Sequence, residues 1–204
     1  AITVKTGAAA NAIVGGAGAD TVTIGSLVGD DAAGGTGTDT LNATIKTTLT
    51  EATTAFENVN YTVGNSVQVT VTGANTKGMD VATNATLLGG NALTTYTADF
   101  VSPASLVSLD MSGYNGKSTA LTFAASQLVN TMDIIGSPGA DTITTTTAND
   151  NAAVKSMSGV ETLVINAAGG ATTFDFSKTS DIATVKTDDD GTARNVTMTD
   201  IATG

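Results

Sequence analysis

The chain has no cysteine, no histidine, one arginine (Arg194), and 8 Lys+Arg against 19 Asp+Glu among its 204 residues. Without cysteine there is no disulfide, thiolate nucleophile or thiolate metal site. Without histidine there is no imidazole base, no Ser/His/Asp triad and no His-ligated zinc, since each needs a group titrating near neutrality or a ring nitrogen. Most hydrolase and oxidoreductase readings weaken at once, and the chain is read as a non-enzyme. A net charge of −11 leaves no basic surface for neutralising phosphates, so nucleic acid is not an expected partner. No stretch approaches 18 consecutive apolar residues, and no basic-then-apolar leader opens the chain, so membrane insertion is not expected either.

Aromatic residues make up 4% and charged residues 13% of the chain, while 23 positions are Gly and about a fifth are Thr. Hydrophobic content of 41% is enough for a core, but much of it is Ala. A thin, repetitive interior is expected rather than a wide globular one. Short period-two runs lie between turn residues: Ala1–Lys5, Thr21–Ile24, Val67–Thr72, Thr162–Ile165 and Asn195–Met198. These read as strands, because β-branched Thr and Val pack well on a pleated surface and lose rotamer freedom in helices. Helical patterns are few: Thr48–Phe56, the stretch after Pro103, and Ala124–Leu128. The start at Ala1 and the end at Gly204 read as a piece of something longer.

Repeats organise the chain. Gly15-Gly16-Ala17-Gly18-Ala19-Asp20-Thr21-Val22-Thr23 and Gly34-Gly35-Thr36-Gly37-Thr38-Asp39-Thr40-Leu41-Asn42 both match G-G-x-G-x-D-x-U-x, where U is a large apolar residue. Gly136-Ser137-Pro138-Gly139-Ala140-Asp141-Thr142-Ile143-Thr144 matches with one glycine replaced. An echo follows each group: Phe56-Glu57-Asn58-Val59-Asn60 after the first, Val160-Glu161-Thr162-Leu163-Val164 after the second. The chain thus reads as two degenerate copies of one design. The expected segments are 1–63 and 131–204, with a Thr-rich middle, 64–130, that is either further solenoid turns or a small inserted β segment. Gly64-Asn65 between Val-rich runs would suit a two-residue hairpin.

The spacing carries a chemical reading. Calcium takes 6 to 8 oxygens from carboxylates, backbone carbonyls and water. Glycines let successive carbonyls turn toward one point, the aspartate adds charge, and the U residue turns inward as a strand begins. One block then supplies half a cage, and a stacked block completes it. The candidate ligating positions are Gly15, Ala17, Gly18 and Asp20; Gly34, Thr36, Gly37 and Asp39; Gly29 and Asp31 in the degenerate half-turn between them; and Gly136, Gly139 and Asp141. Glu57 and Glu161 read as strand openers at the solvent edge, and Asp188-Asp189-Asp190-Gly191 as a solvated acidic turn.

These nonapeptides resemble the calcium-binding repeat of RTX proteins. Combined with the segments around Glu57 and Glu161 in an acidic, Cys-free chain, they look like RTX-type bacterial surface-layer proteins. The resemblance implies a right-handed parallel β-solenoid or β-roll holding several calcium ions. It also implies secretion to the cell surface, with identical copies in a two-dimensional array as partners and cell-surface polysaccharide engaged through another part of the chain. At 18 residues per turn the chain would make about 11 turns, a rod roughly 50 Å long at strand spacing. A calcium-stiffened extender of a large RTX adhesin carries the same blocks. Thr-x-Thr steps at Thr21, Thr70 and Thr142 raise an ice-binding reading, weakened because they share no period. A calcium-dependent polysaccharide lyase would need a basic residue beside the ion, and Arg194 is the one arginine.

Overall fold

The computed structural model describes residues 2–3, 11–25, 30–45, 53–64, 69–71, 84–90, 95–100, 106–123, 132–146, 154–166, 172–188 and 195–201. Among these, every regular element is a strand, and every pairing of named strands is parallel. The first sheet stacks eight strands: β1 (Ile2–Thr3), β3 (Thr21–Ile24), β5 (Thr40–Ile45), β7 (Asn58–Val63), β9 (Asn84–Gly89), β11 (Ser108–Tyr114), β13 (Asp133–Ile135) and β15 (Ser156–Ser158). Opposite it lie a three-stranded sheet, β2 (Ala12–Ala17), β4 (Asp31–Thr36) and β6 (Thr53–Thr54), and a six-stranded one. The latter holds β8 (Val69–Val71), β10 (Thr95–Phe100), β12 (Ser118–Phe123), β14 (Ala140–Thr146), β16 (Thr162–Asn166) and β18 (Thr184–Asp188). A last pair joins β17 (Thr172–Asp175) to β19 (Val196–Thr199). Odd strands stack on odd and even on even because each coil crosses between sheets once per strand, which makes the chain a β-solenoid.

Each of the five runs expected as strands contains one among its described residues: β1, β3, β8, β16 and β19. Thr53–Thr54, inside an expected helix, is instead the short strand β6, since its Thr pair has a neighbour to pair with at Ala32 and Ala33. The stretch after Pro103, described from Leu106, is not helical either and enters β11 at Ser108, where β9 and β13 offer pairing partners; Ala124–Leu128 and residues 48–52 lie outside the described residues. Nor does a hairpin follow β7: its partners β5 and β9 are both parallel, and Asn65 lies outside the described residues. The middle strands β9 to β12 join the same two long sheets.

The coil length is not constant. Thr40 to Asn58 is 18 residues, Thr21 to Thr40 is 19, Asn58 to Asn84 is 26 and Ser108 to Asp133 is 25. Longer coils leave eight strands in the longest sheet instead of about 11, a stack of about 34 Å at 4.8 Å per strand. The register absorbs the variation. Thr70, Thr97, Ala120, Thr142, Thr162 and Thr184 share one file across the six-stranded sheet, although no single period relates them in sequence.

The core is built from stacked files of inward side chains, β5 alone adding Leu41, Ala43 and Ile45. Val22, Leu41, Val59, Ala85, Leu109, Ile134 and Met157 are register partners in succession, and all are buried. The U residues of the three blocks, Val22, Leu41 and Ile143, are wholly buried. Each such side chain contributes about 1.5–3 kcal/mol of burial. Larger rings widen the interior in the middle coils, where Tyr96 and Tyr114 meet edge to face at 6.4 Å between centroids.

Two corners repeat the same construction. Ala55 (φ 58°) precedes buried Phe56 and then Glu57, and Gly159 (φ 64°) precedes buried Val160 and then Glu161. In both, the glycine that opens a nonapeptide on the previous coil lies against this corner: a Cβ on Gly34 would strike the Ala55 carbonyl oxygen, and one on Gly136 the Gly159 carbonyl oxygen. The same added carbons would sit 2.9 Å from Oδ2 of Asp39 and of Asp141 respectively. The motif glycine is therefore required by close approach. Gly34→Ala and Gly136→Ala are each expected to cost at least about 2 kcal/mol in urea unfolding. Thr62→Ala, at an exposed position on β7, should stay within about 0.5 kcal/mol.

Candidate functional site

At several described corners an N–H beside a strand is not met by the neighbouring coil's backbone. Acidic side chains fill the gap. The Asp20 N–H donates to Asp39 Oδ1 at 2.7 Å, and the Asp39 N–H donates to Glu57 Oε2 at 2.6 Å. In return Thr40 N–H donates to the Asp20 carbonyl and Asn58 N–H to the Asp39 carbonyl. Asp20, Asp39 and Glu57 thus form one vertical file along the corner of three coils.

The same clamp recurs elsewhere. Asp30 Oδ1 accepts from the Asn11 N–H at 3.0 Å and from Asn11 Nδ2 at 2.8 Å, while Asp31 N–H donates to the Asn11 carbonyl. Asp141 N–H donates to Glu161 Oε2 at 2.7 Å, and Gly159 N–H to Asp181 Oδ2 at 3.1 Å. Bonds from a carboxylate to backbone N–H groups are charge-assisted and stronger than neutral ones.

The clamps differ in what remains of each carboxylate. Asp39 and Asp30 are fully buried, and Oδ2 of each has no hydrogen-bond partner. Leaving a charged oxygen dry and unpaired is costly. Asp141 is different. Its Oδ1 accepts from Thr119 Oγ1 at 2.6 Å and Ser137 Oγ at 2.9 Å, and its Oδ2 from the Ser137 N–H at 2.5 Å. Burial pushes the Asp141 carboxyl above its usual range against these bonds, and the nearby Glu161 charge adds to the rise.

The sequence candidates sort accordingly. Asp20, Asp39, Gly15, Ala17, Gly18, Gly34, Thr36 and Gly37 come together at one corner of the first coils, with Asp39 and Gly34 buried and Ala17, Gly18, Thr36 and Gly37 on the surface. Gly136, Gly139 and Asp141 form a separate corner far along the stack. Asp31 is exposed at the start of β4 and its neighbour Asp30 is the buried acid; Gly29 lies outside the described residues. Glu57 and Glu161 do open strands, and also clamp the preceding coil. Asp30, Asn11, Ser137 and Thr119 had no place among the candidates. For the two glutamates the signal was present: an acid stands immediately before a strand at Asp20, Asp39, Glu57 and Glu161 alike.

Among the described residues no three carboxylates surround one point; the acids stand in file. Calcium needs several oxygens. At the first corner the buried Asp39 Oδ2, which has no hydrogen-bond partner, offers one. At the third block protein donors already occupy both Asp141 oxygens. No protein-family model, curated protein or solved structure matches this chain. Fold and corner together define a class: a parallel β-solenoid whose coils are clamped by stacked carboxylates.

The Asp141 shift has a sign. Because its folded pKa is raised, the folded state keeps a proton that the unfolded state has lost, so this group's contribution falls as pH rises from the ordinary carboxylate range to the folded value, and stays unfavourable above it. Asp133, Asp175 and Asp181 are held low by hydrogen bonds, led by Lys155, Ser177 and Gly159 respectively, and act oppositely. Urea unfolding across about pH 4 to 7 should show the parent losing ground to Asp141→Asn as pH rises. A constant difference between the two would mean that Asp141 does not titrate as its burial requires.

Proposed function

We propose that the chain is a structural, non-enzymatic segment of an RTX-type surface-layer protein, which folds and self-assembles outside the cell on binding calcium. The observation that carries this reading is the buried, unpartnered Asp39 Oδ2 in the Asp20, Asp39 and Glu57 file, beside glycine-rich turns that match the calcium nonapeptide. Asp20, Asp39 and backbone carbonyls of Gly15 to Gly18 and Gly34 to Gly37 would hold the ion. Bound there, calcium supplies charge neutralisation and a partner for the dry oxygen.

The rest of the mechanism belongs to the chain. With 19 acids and a net charge of −11, stacking carboxylates at strand spacing raises repulsion in the folded state alone. Glycine-rich corners are also entropically expensive to order. Both costs hold the solenoid back until a cation that binds only the folded form shifts the balance by mass action. Extracellular calcium modules bind at about 10⁻⁴–10⁻³ M, above cytosolic levels, so folding would follow export. Identical copies in a two-dimensional array are the partners, with cell-surface polysaccharide engaged elsewhere in the chain.

Calcium titration followed by circular dichroism and light scattering tests this, with magnesium as control. β-Signal and particle size should rise together, and Asp39→Asn should raise the midpoint at least about tenfold. A gain of structure without growth in size would instead fit a monomeric adhesin extender. No response to calcium would remove the metal from the account.

A further inference from the structure

Asn115-Gly116 is the chain's one Asn-Gly step. It lies at the corner between β11 and β12, outside both strands. Asn115 is exposed and its side-chain amide makes only a long contact, 3.4 Å, from Nδ2 to the Gly113 carbonyl. Gly116 is buried, and a Cβ there would run into the ring of Tyr114, a fully buried core residue. The core therefore demands glycine after this asparagine, and with no side chain at 116 nothing screens the peptide nitrogen from the Asn115 side chain.

We propose that Asn115 is a self-modification site, converting in water to aspartate and isoaspartate. The Gly116 peptide nitrogen loses its proton to base and attacks Asn115 Cγ; an N–C bond forms, the Cγ–Nδ2 bond breaks and ammonia leaves. Water then opens the five-membered imide at either carbonyl, giving aspartate or a backbone routed through the former side chain. Each product adds one negative charge. No oxidant, metal or enzyme is needed, and the reaction is independent of calcium binding.

Four described asparagines in strands provide the contrast. Asn60 Nδ2 donates to Asn42 Oδ1 at 2.9 Å and Asn84 Nδ2 to Asn58 Oδ1 at 3.0 Å, and residues 42, 58, 60 and 84 are followed by Ala43, Val59, Tyr61 and Ala85. Their amides are tied and their following nitrogens carry side chains. The consequence reaches the next coil. The 115–117 corner underlies the third nonapeptide: Ala140 N–H donates to the Lys117 carbonyl at 3.2 Å, and a Cβ on Gly139 would lie 2.6 Å from the Gly116 carbonyl oxygen. An isoaspartyl link lengthens the backbone at that contact.

The test is storage of the full chain at mildly alkaline pH, followed by ion exchange and peptide mapping, beside Asn115→Gln. An acidic species should accumulate faster as pH rises, with aspartate and isoaspartate at position 115 and intact amides at Asn58, Asn60 and Asn84. Asn115→Gln should not form it. If position 115 keeps its amide while other asparagines convert, or if the variant yields the same acidic species, the proposal fails. Mapping the parent decides the matter even if the variant folds poorly.

Discussion

The structure depends on one hydrogen bond repeated at its corners: a carboxylate on one coil accepting a corner N–H on the coil before it. A parallel solenoid has no hairpins to close its edges, and its turns can leave corner donors without backbone acceptors. Unpaired buried donors are costly. Asp30, Asp39, Glu57, Glu161 and Asp181 each supply the missing acceptor. These side chains also set the register, because a coil shifted by one residue would place the acid on the wrong face.

That solution creates the protein's electrostatic problem. Carboxylates that clamp successive coils must stack, and stacked like charges repel. Two outcomes are visible. At Asp141 the chain answers with its own donors, Ser137 and Thr119, and the carboxyl titrates high. At Asp39 and Asp30 one buried oxygen has no hydrogen-bond partner. The clamps therefore differ in how far the chain itself satisfies them.

Much of the fold was legible because the physics is local. Thr21–Ile24 and Thr162–Asn166 alternate cleanly, and their inward residues Val22, Leu163 and Ile165 are wholly buried. The recurring spacing was visible too: Gly34 and Gly136 each lie against the next coil's corner, and Asp39 and Asp141 each donate an N–H to a glutamate there, Glu57 and Glu161. Less was legible in the middle, where coils of 24 to 26 residues (Asn58 to Asn84 to Ser108) hide a constant strand register behind corners of varying length. The helix expected across Thr53–Thr54 failed for a related reason, since pairing with a neighbouring coil overrides propensity. Nor does sequence distinguish Asp30 from Asp31, because adjacent acids point to opposite faces at a strand start and only the stacked Asn11 decides which one turns inward.

Amide hydrogen exchange at the corners measures the clamp most directly. The N–H groups of Asp20 and Asp39 should exchange quickly in calcium-free solution and become strongly protected when calcium is added, while that of Asp141, whose carboxyl already has its donors, should be protected more evenly in both. Equal protection at all three sites without calcium would contradict the account, since it would mean that the first corner closes with its dry carboxylate oxygen uncompensated.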